Sequence, residues 1–199
     1  MASGLFRRRG HPSSKEGRRD QIRGAEAKLK LDLHTHLFEA TRFSEVGERM
    51  IGLIIAKIKE MGLNGIAVTE HHNPDYGYKV KEIVERAFEN EVLIIPGREI
   101  YQWPVEIVEL FLPNQATFRF IAHPGYPGDF TAVEDVHGIE VENALHNWHM
   151  DKRKVRDMAA KGNLLLLGNS DAHEIRDIGA HYTEISLKEL CDRARSKTG

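Results

Sequence analysis

The chain has 199 residues, 41% of them apolar and 29% charged, with a formal charge of -2. That is enough chain for one hydrophobic core with an ordinary globular composition, and no apolar run approaches the roughly 20 residues a membrane helix needs, which argues against a membrane protein. Cys191 is the sole cysteine, which excludes an in-chain disulfide and a thiolate metal cluster, and suggests a reducing, cytoplasmic setting.

Residues 1–30 carry nine Lys/Arg against three acids, so the remainder of the chain is acidic. Residues 1–28, rich in Arg, Gly and Ser and without a helical or strand period, read as a basic, disordered arm and a candidate for nucleic-acid binding. From Leu29 onward, short apolar runs alternate with longer amphipathic stretches, the pattern of an α/β domain with a mainly parallel sheet over 29–199. Strands are expected near 29–33, 65–69, 91–95, 118–122, 138–142, 163–167 and 182–186, with 105–112 as a further strand open to antiparallel pairing. Helices are expected over 46–61, 77–89, 144–161 and 187–196. In the first of these Val46, Met50, Leu53, Ile54 and Met61 form the inner face.

Histidine is the feature to explain: ten of the eleven lie between His34 and His181. Clusters of His, Asp and Glu follow the predicted strands: His34-Thr35-His36 the first, Glu70-His71-His72 the second, Pro96-Gly97-Arg98-Glu99 the third, Ala122-His123-Pro124 the strand at 118. Glu140-Val141-Glu142 ends the strand at 138, and Ser170-Asp171-Ala172-His173 follows the one at 163. In a parallel barrel these strand ends converge on one face. Residues i and i+2 of an extended segment share a side, so His34 with His36, and Asp171 with His173, can reach one ion together. Imidazoles and carboxylates crowded without a cation would leave costly desolvated acids. The all-nitrogen-and-oxygen donor set suits Zn, Mn or Fe. His146 and His149, three apart on the predicted helix, read as a solvated face, although His146 or Glu142 could reach inward.

With these segments the chain resembles the polymerase and histidinol phosphatase (PHP) superfamily, through H34-T-H36, E70-H71, P96-G-R-E99, A122-H123-P and S170-D-A-H173. The resemblance spans about residues 29–186. It implies a distorted (β/α)7 TIM-like barrel, two or three divalent ions per chain, and phosphoesterase activity on a small phosphorylated substrate: a phosphomonoester, nucleotide or oligonucleotide. It implies His34, His36, Glu99 and Asp171 at one metal, Glu99 and His123 at a second, His71 and His173 at a third. Glu70 stands where the family usually has Asp. A further ligand lacks a clear counterpart, with Glu142 the candidate, and Glu39 is the nearest substitute for a ligand usually found beyond the H-x-H.

Arg98 and Arg176 are candidate phosphate clamps, since a guanidinium fits phosphate bidentately. His173 and His72 are candidate proton donors to the leaving group. Tyr76, Tyr78, Trp103 and Tyr126 fall near predicted strand ends, as candidate walls for an aromatic or base group or as packing residues. Two other readings compete: an amidohydrolase or TatD-type hydrolase, which also begins with H-x-H, and a non-catalytic metal-binding module with a nucleic-acid-binding arm.

Overall fold

Apolar runs bounded by turns form eight strands in a computed structural model, which describes residues 26–44, 46–71, 73–129 and 133–196. They are β1 (Leu29–Asp32), β2 (Gly65–Val68), β3 (Leu93–Gln102), β4 (Val105–Phe111), β5 (Thr117–Ala122), β6 (Gly138–Asn143), β7 (Leu165–Asn169) and β8 (Thr183–Ile185). Their order in the sheet is β7-β6-β5-β4-β3-β2-β1-β8. β1, β2 and β3 run parallel, as do β5, β6 and β7, whereas β4 is antiparallel to both neighbours and β8 is antiparallel to β1. Thr183 brings the ends together: its Oγ1 donates to the Gly168 carbonyl and accepts the Gly168 N–H, both at 2.9 Å. The sheet is thus a nearly closed, mixed barrel.

The expected distorted (β/α)7 TIM-like barrel is thus met as a distorted α/β barrel, but with eight strands of mixed direction in place of seven β/α repeats. The physical reason lies in β3, which continues beyond its parallel pairing with β2 at Pro96 and turns straight back into β4. Antiparallel neighbours need only a tight turn, so no covering helix separates them. Gly97 stands at the handover, where a Cβ would lie 2.6 Å from the Glu109 carbonyl oxygen.

Leu31, Leu33, Val108, Leu110, Phe118, Phe120 and Leu167 fill the barrel interior. Each such buried side chain contributes about 1.5–3 kcal/mol. Outside lie α1 (Leu37–Ala40), α2 (Glu48–Glu60), α3 (Pro74–Ala87), α4 (Lys152–Gly162) and α5 (Leu187–Ser196). α2 packs through Ile51, Ile54, Ile55 and Ile58, at helical spacing. Leu53 and Met61, expected on its inner face, are exposed instead. Asp151 caps α4 by accepting the Arg153 and Lys154 N–H groups, so the helix begins at 152 and not at 144. Residues 144–149 form turns, held by Asn143 Oδ1, which accepts from the backbone N–H groups of Leu145 and His146.

Among the described residues, no helix is long and apolar enough to cross a membrane. The expected basic arm lies outside the described residues as far as residue 25.

Candidate metal centre

The two i, i+2 pairs expected from the sequence meet at a single bridge. β1 ends at Asp32, but Thr35 forms an isolated parallel bridge with Ala172, so His34 and His36 flank one partner while Asp171 and His173 flank the other. The bridge is anchored by the Thr35 hydroxyl, which donates to the Ala67 carbonyl at 2.6 Å. Thr69 Oγ1 adds two bonds of 3.2 Å, accepting the Thr35 N–H and donating to the Thr35 carbonyl. Asp171 itself holds a left-handed backbone with φ 55°, fixed by its N–H donating to the His34 carbonyl at 2.9 Å. A non-glycine residue there costs about a kcal/mol or more and persists only where its surroundings over-determine it.

Glu99, on the barrel-facing side of β3, sits at the centre of the cluster. Its carboxylate lies 3.4 Å from His34 Nε2, 3.4 Å from His36 Nε2, 3.2 Å from His71 Nδ1 and 3.1 Å from His123 Nε2. Asp171 Oδ1 lies 3.5 Å from His34 Nε2 and 3.3 Å from His36 Nε2, and those two nitrogens are 3.1 Å apart. Two further groups flank this core: Glu99, Glu106 and His123 on one side, and His36, Glu39, His71 and His173 on the other.

Hydrogen bonds on the far ring nitrogens aim these imidazoles. His34 Nδ1 meets Glu140 Oε1 at 3.0 Å. The Nδ1 atoms of His123 and His173 meet the carbonyls of Tyr126 at 3.3 Å and Asp171 at 2.9 Å. Carbonyl oxygens only accept, so both rings carry their proton on Nδ1 in the neutral form and present a bare Nε2 to the cluster. A carboxylate or carbonyl behind a ligating imidazole is the arrangement that fixes tautomer and basicity in metal sites. Glu140 is itself held by Asn169 Nδ2 at 2.7 Å and Asn143 Nδ2 at 2.9 Å, and its other oxygen accepts the His123 N–H at 2.8 Å.

The charge balance calls for cations. Burial pushes Asp171 and Glu99 upward, but His34 and His36 override it at Asp171, as do His34, His123 and His36 at Glu99, so both acids are held well below the usual carboxylate range. The imidazoles respond in the opposite sense. Burial lowers His36, yet Asp171 and Glu99 outweigh it and raise the ring to about 9. Protons therefore do here what a divalent ion does better. Asp171 Oδ1 and His36 Nδ1 are buried without a hydrogen-bond partner. Two ligands each about 2.0–2.1 Å from a tetrahedral ion stand roughly 3.4 Å apart. The spacings among Glu99, Asp171, His34 and His36 match that figure, so the residues present fit a metal.

Of the residues singled out from the sequence, His34, His36, His71, Glu99, His123, Asp171 and His173 come together. Others do not. Glu142 points to Lys152, because a β-bulge between Glu140 and Glu142 breaks the period-2 alternation and gives Glu140 the inward position. Glu70 is buried, but its Oε1 accepts the Phe38 N–H at 2.9 Å, and burial raises it to about 7. It anchors the start of α1 and belongs to none of the candidate metal groups. Arg98, one residue from Glu99, faces the outside of the barrel and pairs with Glu109 at 2.7 Å. Arg176 is exposed and pairs with Glu174 and Asp177. His72 lies outside the described residues.

Glu106 and Glu140 lie outside the candidates that the sequence suggests, and Glu39, the nearest substitute for a ligand beyond the H-x-H, joins His71 and His173. Glu106 escapes a search of strand ends because β4 runs antiparallel and brings its beginning to the mouth. His146, in the turn after β6, places Nε2 3.7 Å from Asp171 Oδ2, with its Nδ1 buried and unpartnered. Burial, then the neighbouring His123, lowers His146 to about 4, so it stays neutral.

A family model described as PHP-associated matches residues 149–198, a stretch that includes Asp171 and His173. No curated protein matches the chain. Among solved structures, a protein of Bifidobacterium adolescentis assigned as a metal-dependent phosphoesterase is similar at 13% identity and a TM-score of 0.62, over 82% of this chain and 96% of that one. PsfC of Pseudomonas syringae is similar at 17% identity and a TM-score of 0.62, over 83% of this chain and 88% of that one. At these identities the likeness is one of fold.

Proposed function

We propose that residues 29–199 form a PHP-type metal-dependent phosphoesterase that hydrolyses a small phosphorylated substrate, a reading supported by the PHP-associated match over residues 149–198 and by the likeness in fold to the two solved structures. The observation that carries the reading is the unpartnered, buried Asp171 Oδ1 facing His34 and His36, with Glu99 central to four imidazoles. His34, His36, Glu99 and Asp171 would hold one ion, Glu99, Glu106 and His123 a second, and Glu39, His71 and His173 a third. Zn, Mn or Fe would suit these donors. Divalent ions bound there supply charge neutralisation at phosphoryl oxygens and a water acidic enough to attack at neutral pH.

The protein's own residues orient and gate that chemistry. Glu99 reaches both of the first two donor groups, so it couples their positions. Glu140 steers the His34 ring from behind, and the Tyr126 and Asp171 carbonyls steer His123 and His173. His71 and His173 are the partly exposed imidazoles of the cluster, and His173 Nε2 lies 3.5 Å from Glu39 Oε2. With Nδ1 turned to the Asp171 carbonyl and Nε2 to the third donor group, His173 would hold an ion there and would not also hand a proton to the leaving group. Arg98, turned to Glu109 on the far face, is replaced in this reading by metal charge as the phosphate clamp.

The test is phosphate release from a panel of phosphomonoesters and oligonucleotides with added Mn or Zn, alongside metal analysis. Wild type is expected to bind two or three ions per chain and to release phosphate from at least one substrate. Equal rates for wild type and a His34→Ala/His36→Ala double variant on every substrate would remove the reading. Amide hydrolysis without phosphate release would favour the amidohydrolase class instead.

A further inference from the structure

Asp32 ends β1 two residues before His34, is fully buried, and belongs to none of the candidate metal groups. A carboxylate taken out of water is costly unless donors replace its lost hydration. Three neutral donors do so here. Asp32 Oδ1 accepts the Ser170 N–H at 3.0 Å, while Oδ2 accepts the Ser170 hydroxyl and also the Gly179 N–H, the latter at 2.9 Å. Donors directed at both oxygens require an acceptor at both positions, which a carboxylate provides and an amide does not. What Asp32 holds through Ser170 is the segment that carries Asp171 and His173.

That segment meets the His34–His36 segment without strand pairing. In the sheet β1 lies between β2 and β8 and β7 stands at the far end, so side chains take the place of a ladder where the barrel closes. Leu33 donates its N–H to Asn169 Oδ1 at 3.0 Å, and Asp32 takes both donors of the next residue, Ser170. Beyond this clasp come two main-chain bonds of 2.9 Å, from the Asp171 N–H to the His34 carbonyl and from the His36 N–H to the Ala172 carbonyl. Asp171, with its left-handed φ of 55°, is therefore pinned from both sides. Its Oδ1 stands 3.5 Å from His34 Nε2 and 3.3 Å from His36 Nε2. Gly179 ties in a third corner, the turn that leads into β8.

Resting on the metal-binding part of the phosphoesterase reading, we propose that Asp32 is a positioning residue. Without touching an ion, it clasps the Ser170–Asp171 segment to the end of β1 and so sets the spacing of the His34, His36 and Asp171 donors. Groups that orient ligands in this way commonly account for about 10- to 100-fold in metal affinity. An amide at position 32 would turn an N–H toward one of the converging donors and open the clasp. Asp171 would then be free to leave its left-handed backbone, and the donors would drift from the separation an ion needs. The group of Glu99, Glu106 and His123 draws on β3, β4 and the residue after β5, which the clasp does not hold.

The full-length protein, stripped of metal by chelator and reloaded stepwise with Co2+, reports ligand geometry through its visible absorption bands and affinity through chelator competition. In Asp32→Asn one ion is expected to weaken by about 10- to 100-fold with altered band positions and intensities, while any other ion binds within about twofold of wild type. Ser170→Ala removes only the hydroxyl bond and should move the same bands by less; it decides the question if Asp32→Asn does not fold. Glu109→Gln, which alters a buried acid on the outer face of the hairpin, controls for stability: it should lower the urea midpoint without moving the bands. Unchanged bands and affinity in Asp32→Asn and Ser170→Ala, or equal changes in Glu109→Gln, overturn the inference whatever the variants do to stability. Wild-type protein that binds no Co2+ removes the metal reading and the positioning role together. Bands that shift as expected without phosphate release from any substrate leave Asp32 in its role and remove only the phosphoesterase reading.

Discussion

The hairpin of β3 and β4 carries two buried glutamates on its opposite faces, and they are neutralised in different ways. Glu109, on the outer face, is gripped by Arg98 at 2.7 Å and Arg119 at 3.1 Å. A guanidinium is a permanent cation with a fork of donors that matches a carboxylate, so two of them complete the outer face electrostatically. Glu99, on the inner face, stands among imidazoles, whose charge is conditional. Both acids are shielded from water, but only Glu99 remains dependent on protons or an added cation. A buried acid closed by arginine is structure; one ringed by histidine is a place where an ion can enter.

The largest expected effect separates the two glutamates. Glu99→Gln should lower phosphoesterase kcat/KM by about 10³-fold, the scale of several kcal/mol of lost charge stabilisation in the transition state. Glu109→Gln should leave turnover within about twofold while costing about 1–3 kcal/mol of stability in urea unfolding, less than a fully buried pair because Arg98 is partly solvated. Equal loss of activity in the two variants would end the contrast. Glu140→Gln tests the support behind the inner cluster: metal affinity should fall about 10- to 100-fold with the fold intact, as measured by chelator competition.

Proton and metal should compete at the inner face and not at the outer one. His36, raised to about 9, is protonated below that pH in the metal-free protein, so metal binding must displace the proton. Apparent affinity should therefore rise with pH up to about 9, by at most about tenfold per unit for each proton displaced, and then level off. Calorimetry in buffers of different ionisation enthalpy counts the protons released. The same sign governs stability. With a folded pKa above the unfolded value of 6.5, His36 contributes stability that is fully present below 6.5 and is lost as pH rises through about 9. Metal-free protein should lose stability across that window, and saturating metal should suppress the loss. The smallest effect belongs to Arg176→Ala, on an exposed side chain paired only with its neighbours, where both stability and turnover should stay near wild type, within about 0.5 kcal/mol.

Much of this was legible because the relevant rules are local. Apolar runs marked every strand, including the 105–112 segment left open to antiparallel pairing, and the i, i+2 spacing of His34 with His36 and Asp171 with His173 anticipated their shared sides. Two features were not local. The bulge that exchanges Glu142 for Glu140 depends on how β6 registers against β7. Glu106 enters because β4 reverses direction and pairs antiparallel with both neighbours. Two others are local: strand alternation turns Arg98 away from Glu99, and the cap at Asp151 starts the helix late, leaving the turn that carries His146 to the mouth.

Residue type and spacing by themselves determined the chemistry on offer: nitrogen and oxygen donors, without a thiolate cluster, delivered by successive strand ends. Those properties follow from side-chain structure and backbone period, which any short stretch of chain already contains. Tertiary structure decided which acids face inward, which cations are spent elsewhere, and which rings border the cluster. Each of those outcomes depends on strand direction and register between segments far apart in the chain, and register is set only when the whole sheet packs.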